Sequence, residues 1–437
     1  VKAGLKNRRP KAPYQEVSGW GTPHVVLKTG GLPFSEPGAG MRGYAQPFRY
    51  VKIMTTQMMV NPVKLRFLPL NNFSLKPIRQ KSVLIASETK TTCMGNASNF
   101  DPAVLKRLPA IVKAYQVPDT KKAAIQLLTS FLPFFIIWTA MYLLVDVSIW
   151  LTFSLAIVNA FFLVRIFIIQ HDCGHQSFTN NRRANDMIGQ VCSFLSFIPY
   201  RYWAKSHNFH HGHNGILWEH RDIGDIQLLT VNEFKALNWL QRMQYILYRS
   251  APVLFLLGPM WYILVNNRIP LIRLKGWEHA HRALLLNNLY LVLIHTGVVA
   301  LLGYEALLFV HFPILVAFGI IAIWFFYVQH QHEFTYKQWK DRWDYVLAAV
   351  QGSTYYKLPR LMHWLTGNIG YHHIHHLNSL VPSYQLARCQ RENPILDEIA
   401  VKITFWESLK CIFNKLWDED QRKMISFREF YRKYKRG

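Results

Sequence analysis

Apolar residues fall in long runs that basic, aromatic stretches interrupt. Four runs are long enough to cross a bilayer, which takes about 20 residues: about Ile125 to Val145, Val147 to Ile169, Ala283 to Leu302, and Ala306 to Val328. Only Asp146 separates the first two, and Gly303-Tyr304-Glu305 separates the last two. Each pair therefore reads as a helical hairpin with a very short turn. Neither turn carries Lys or Arg, whereas the connection between the hairpins holds Arg182, Arg183, Arg201, Lys205, Arg221, Lys235, Arg242, Arg249, Arg268, Arg273 and Lys275. Basic residues collect on the cytosolic side of membrane proteins. This asymmetry places both termini and the central connection on the cytosolic face, or the stromal face of a plastid. A fifth apolar stretch, Pro252 to Val265, is short and holds Pro252, Gly258 and Pro259. It reads as a re-entrant or interfacial segment, as does Ile188 to Pro199. The fold class expected is all-α and integral to the membrane, with four spans in two hairpins and a helical cytosolic cap.

Composition adjusts this picture at two points. Residues 1–100 carry fifteen Lys and Arg against three acids, Glu16, Glu36 and Glu88, and the first methionine is Met41. Such a basic, acid-poor stretch reads as a disordered extension. It is either an organelle targeting peptide or translated upstream sequence, with a natural start near Met54, Met58 or Met59. The formal net charge of +25 could suggest nucleic acid. The cations flank apolar runs, however, and no RNA-binding aromatic signature or zinc finger accompanies them, so anionic lipid headgroups are the expected partner. Cys93, Cys173, Cys192, Cys389 and Cys411 form no C-x-x-C pair and read as free thiols on a reducing side.

The chemistry lies in the histidines. Eight of nineteen fall in three clusters: His171 and His175; His207, His210 and His211; His372, His375 and His376. Spacings of three and four put side chains on one helix face, and neutral imidazole is a common ligand for iron, copper and zinc. His330 closes the fourth apolar run and makes nine candidate ligands. A single tetrahedral zinc takes four, so the set suits two octahedral-preferring ions side by side. Asp172, Asp222 and Asp225 are the nearest acids able to orient the rings through their free N–H groups. Asn368, four before His372, could share its face and hold a metal-bound water. His373 and His332 fall outside the spacing. His24, His213, His220, His279, His281, His295, His311 and His363 read as packed or surface residues. Within the second run, Arg165 reads as snorkelling to the interface and Asn159 as glue between helices.

Over about residues 105 to 425 the chain resembles the membrane-bound histidine-box fatty acid desaturases. The H-x-x-x-H, H-x-x-H-H and H-x-x-H-H boxes of that family stand here as the three clusters, and its additional ligand histidine matches His330. Ile169-Gln170-His171-Asp172-Cys173-Gly174-His175, Phe326-Tyr327-Val328-Gln329-His330, Gly367-Asn368-Ile369-Gly370-Tyr371-His372 and Val381-Pro382-Ser383-Tyr384-Gln385-Leu386 look like the bacterial and plastid omega-6 (delta-12) type. No His-Pro-Gly-Gly haem motif occurs, so no cytochrome b5 domain is fused. The resemblance implies a desaturase domain over 101–437 in a plastid or bacterial inner membrane, with the nine histidines holding two irons. It also implies O2 as co-substrate, ferredoxin or cytochrome b5 as external electron donor, and an acyl lipid as substrate. One hydrogen would leave each of two adjacent methylenes to give a cis double bond. A related di-iron hydroxylase, epoxidase, acetylenase or ketolase would carry the same signature. A zinc hydrolase and a non-catalytic membrane scaffold are the readings from other classes.

Overall fold

The computed structural model describes residues 101–434; the expected N-terminal extension lies outside them. The helices used below are α1 (Pro102–Lys113), α2 (Thr120–Leu144), α3 (Ile149–Gly174), α4 (Arg182–Ser196), α5 (Tyr200–His213), α6 (Trp239–Tyr248), α7 (Gly258–Leu264), α8 (Glu278–Leu302), α9 (Phe312–His330), α10 (Tyr345–Gln351), α11 (Arg360–Leu365), α12 (His372–Leu377), α13 (Ser383–Glu392) and α14 (Phe405–Ser408). Four helices are long and apolar enough to cross a membrane: Thr120–Leu144, Ile149–Gly174, Glu278–Leu302 and Ala306–His330. The last comprises α9 and a π-helical turn, Ala306–His311, that leads into it.

These spans start earlier or end later than hydrophobicity alone suggests, because polar groups at their ends find partners. The Asp119 side chain caps α2 by accepting from the Lys122 N–H at 3.0 Å. Polar residues of the first turns then reach α13: Lys122 Nζ donates to Gln385 Oε1 at 3.2 Å and Gln126 Nε2 to Ser383 Oγ at 3.2 Å. Helix α3 runs on to Gly174, with His175 as its C-cap. The first histidine pair is therefore the last turn of that helix and not a segment beyond it. Phe134, Met141, Leu163, Ile166 and Phe318 are fully buried where α2, α3 and α9 meet. Asn159 Nδ2 donates to the Phe134 carbonyl at 3.2 Å, tying α3 to α2.

Arg165 does not snorkel. It is 3% exposed. Its guanidinium donates to Ser130 Oγ and Thr129 Oγ1, both at 3.2 Å, and to the Trp364 carbonyl. It also lies 4.0 Å from the centre of the Trp364 ring. Helix α11 covers it, so the guanidinium finds its partners without reaching water.

The stretch from Trp239 to Arg268 forms a pair of helical pieces bent by 59°. Its contacts join it to α9 and α8. Arg249 donates to Gln331 Oε1, beside the end of α9, at 2.9 Å. Further on, Pro259, Met260 and Ile263 lie against Gly319, well inside α9. Arg268 then donates to Asn288 Oδ1 of α8 at 2.8 Å, and Trp277, just before α8, packs on Tyr202 of α5. The segment thus begins beside the end of α9 and finishes against α8.

Strands are the element the all-α expectation omitted. Thr354–Lys357 pairs in parallel with Val401–Thr404, and shorter pairings join Ile216–Leu217 to Gln338–Trp339 and Leu229–Thr230 to Leu416–Asp418. At two to four residues each, they are too short for an alternating pattern to register.

Candidate metal centre

The nine histidines predicted as ligands converge from four stretches of chain. His171, His175, His207, His211 and His375 bring one ring nitrogen each within 4.8 Å of one another, and His210, His330 and His376 do the same. His372 completes the second set, with its Nε2 3.0 Å from His330 Nε2 and 3.2 Å from His376 Nε2. Helical geometry divides the second and third boxes between the two sets, while both histidines of the first box join the five. In α5, His207 and His211 are one turn apart and join the first, while His210 is rotated onto the second. In α12, His375 joins the first, and His372 and His376 the second. The sets touch, since the His211 and His376 rings stack at 4.1 Å.

The donors fit metal ions. Five ligands exceed what a tetrahedral zinc accepts. His210 Nε2 lies 3.3 Å from His330 Nε2, and His207 Nε2 lies 3.1 Å from His211 Nε2. A metal–imidazole bond of about 2.1 Å would space neighbouring ligand nitrogens at about 3.0 Å around an octahedral ion. His171 Nε2, both ring nitrogens of His175, His211 Nδ1, His372 Nδ1 and His375 Nε2 are buried without a hydrogen-bond partner. Each orphan costs about 1–3 kcal/mol, which a coordinated cation at the facing nitrogens offsets. Burial holds His175, His207, His211, His372, His375 and His376 well below the usual imidazole range, with neighbouring histidines pushing the same way. His210 is lowered to about 4 by burial, against the opposing pull of Asp225. Rings kept neutral offer lone pairs to a metal.

Groups behind the rings set their orientation. His171 Nδ1 lies 3.0 Å from Asp172 Oδ1, and Asp172 Oδ2 accepts the Ser383 N–H at 2.7 Å. With the proton on Nδ1, His171 presents Nε2 to the centre. His330 Nδ1 faces the Gly352 carbonyl at 3.1 Å with the same result. Asp225 Oδ2 is 3.7 Å from His210 Nδ1, a distance for charge interaction and too long for a hydrogen bond. Asp222 is pushed above the usual carboxylate range by burial, and among the described residues no hydrogen bond joins it to the cluster. Asn368 corrects the expectation placed on it. Helix α12 begins only at His372, so a spacing of four does not put Asn368 on its face. Asn368 sits in a left-handed turn at φ +61°, and its side-chain N–H donates to the Ser383 carbonyl at 3.2 Å. His332 and His373 are buried but belong to neither set. Sequence reasoning missed Ser383 and Gly352, whose contributions are backbone atoms and leave no mark on residue type. It also missed Trp203, which stacks on His207 at 4.6 Å. Phe167 packs edge-on against both Trp203 and Phe318, at 4.9 and 5.5 Å, giving the first set an apolar flank.

Known proteins are similar to this chain in sequence. A sequence model described as "Fatty acid desaturase" matches residues 148–405, from just before α3 to the start of α14. This chain belongs to the fatty acid desaturase family. Its members are oxidoreductases, and all nine histidines lie within the matched region. A "Fatty acid desaturase" of Bacillus subtilis is 43% identical over 324 residues, covering 74% of this chain and 91% of the relative. An "sn-1 oleoyl-lipid 12-desaturase" of Anabaena variabilis is 25% identical over 244 residues, 51% of this chain and 63% of the relative. An "sn-1 acyl-lipid omega-3 desaturase (ferredoxin)" of a Nostoc species is 24% identical over 272 residues, 58% of this chain and 69% of the relative.

Proposed function

We propose that this desaturase uses two irons, O2 and two electrons from an external carrier to insert a cis double bond into the acyl chain of a membrane lipid. The observation that carries the reading is the division of nine buried imidazoles into adjoining sets of five and four. His171, His175, His207, His211 and His375 would hold one iron, and His210, His330, His372 and His376 the other. Bound there, the pair supplies the O2-activating oxidation. The chain's own residues do the positioning. Asp172 and the Gly352 carbonyl each accept a ring N–H, so His171 and His330 keep one tautomer throughout. Burial excludes water from the rings and protects the oxidant from side reactions. Phe167, Trp203 and Phe318 offer an apolar surface along which methylenes can lie, and the fixed register of chain against metals selects the carbons that react.

The architecture proposed is two hairpins, α2–α3 and α8–α9, beneath a cap that carries the metals on the cytosolic or stromal face. Support comes from the meeting of the first and third histidine boxes in one cluster, which asks for an even number of crossings between them and so for a bent segment that turns back. A monounsaturated chain, desaturated at the delta-12 position, is the preferred substrate. The oleoyl-lipid relative and the motifs around the boxes support it, and the ferredoxin named for the Nostoc relative supports that class of donor. Expression in a host rich in oleoyl lipids, followed by gas chromatography of the fatty acids, tests this. A diene is expected; a hydroxylated product without diene would replace the desaturase by a di-iron hydroxylase.

A further inference from the structure

Two short helices outside the four spans leave large apolar side chains uncovered, in the same spacing. On α6 these are Trp239, Leu240, Met243 and Leu247, with Trp239 76% exposed. On α14 and the 3-10 turn that follows it, Leu409–Phe413, they are Phe405, Trp406, Leu409 and Phe413, with Trp406 75% exposed. Both sets fall at i, i+1, i+4 and i+8, which on α6 lines one side of the helix; on the second segment the four side chains form an exposed apolar cluster. Uncovered apolar surface of this kind marks an interaction site.

The residues that follow the two segments meet. Arg249, just beyond α6, is fully buried. It donates to the Asn414 carbonyl at 2.8 Å, to Tyr327 Oη at 3.2 Å and to Gln331 Oε1 at 2.9 Å. Asn414 directly follows Phe413. Tyr327 Oη donates to the same Asn414 carbonyl at 2.6 Å, and Lys415 Nζ to the Arg249 carbonyl at 2.6 Å. One knot therefore fastens the end of each apolar face to the end of span four, on either side of His330.

We infer that these two faces lie in the bilayer surface as in-plane anchors, with lipid headgroups and upper acyl chains as their occupant. Three observations choose lipid. The faces are fastened to the end of a membrane-crossing helix, at the level where headgroups begin. The α6 face continues through exposed Leu256, Leu257 and Leu264 of the bent segment, which reaches Gly319 inside α9. Lys235 and Arg242 flank the first face and Lys410 the second, matching anionic headgroups, while each face carries an amphipathic tryptophan, Trp239 or Trp406, of the kind enriched at membrane interfaces.

The test uses the full chain in vesicles of zwitterionic and anionic phospholipid. Nitroxide labels are attached at Met243→Cys, at Phe413→Cys and, as a water-exposed control, at Arg428→Cys, in a Cys93→Ser background; Cys173, Cys192, Cys389 and Cys411 are buried. Collision with O2, which concentrates in lipid, is compared with collision with a water-soluble nickel chelate. The oxygen-to-nickel ratio at 243 and 413 is expected to exceed that at 428 at least threefold. A ratio equal to the control overturns the inference. So does exclusion of both reagents with spin–spin broadening, which would assign the faces to a second copy of the chain. A bimane label at Leu240→Cys or Leu409→Cys, quenched by brominated lipid at least twofold more than one at 428, repeats the test at independent positions; equal quenching would likewise overturn it.

Discussion

Asp172→Asn removes a charge from the back of the metal centre while keeping shape. The carboxylate is 1% exposed and does two things: Oδ1 faces His171 Nδ1 at 3.0 Å, and Oδ2 accepts the Ser383 N–H at 2.7 Å. Asparagine can keep one acceptor for His171, but its amide nitrogen cannot accept from Ser383. A buried hydrogen bond to a charged group contributes about 1.5–3 kcal/mol. Loss of a group that orients a metal-bound imidazole typically costs about 10–100-fold in metal affinity, equivalent to about 1.4–2.7 kcal/mol. The two routes agree, so the variant is expected to bind one iron 10–100-fold more weakly, the iron of the five-histidine set, and to change the other less. The assay is anaerobic competition of the purified protein against a chromophoric ferrous chelator, resolving two phases. Iron affinities within twofold of the parent in both phases would refute the reasoning, because the carboxylate charge and its bond to Ser383 would then contribute nothing to how His171 is held.

Gly224→Ala should damage the second box through the backbone. Gly224 has φ +73°, and an added Cβ would come within 2.6 Å of the Ser206 carbonyl oxygen and 3.0 Å of His210 Cβ. The left-handed penalty alone is about 1–2 kcal/mol, so lower iron content and earlier thermal unfolding are expected; unchanged values would contradict the close approach. Arg165→Met leaves the Trp364 carbonyl without its donor and should destabilise by about 1–3 kcal/mol. Iron content at low temperature should match the parent, with the loss seen on heating in detergent. Acid should unfold the metal-free protein through its histidines. Burial lowers His210 to about 4 from an ordinary value of about 6.5, so the unfolded chain takes up the proton first. The stability this group contributes is complete above about pH 6.5 and is lost as pH falls toward 4. Melting of the apoprotein at pH 7.5, 6 and 5 reads it, and a midpoint constant over that range would contradict it.

The convergence of the eight box histidines was legible in the sequence because rings carried on one helix face leave a spacing of three and four that residue names reveal, and His330 was legible from its place at the end of the fourth apolar run. The four long apolar helices were legible because a bilayer demands about twenty apolar residues in a row. Their ends were not, since Gln126 and Lys122 extend α2 by reaching Ser383 and Gln385, partners remote in sequence. Arg165 was misread for the same reason: burial of a guanidinium depends on a helix about 200 positions away supplying a carbonyl and a ring. Asn368 was misread because the left-handed turn at Gly367 and Asn368 breaks the helical register that a spacing argument assumes. The division into five and four also needed the structure, because which set a ring joins depends on how α3, α5, α9 and α12 pack together.

Metal analysis of the chain and two variants tests the central claim most directly. The account predicts close to two irons and little zinc per chain. It also predicts that His207→Ala and His372→Ala each lose iron, the first from the five-histidine set and the second from the four-histidine set, and that neither forms product. A single bound metal, a zinc-filled centre, or full iron retention by either variant would contradict it.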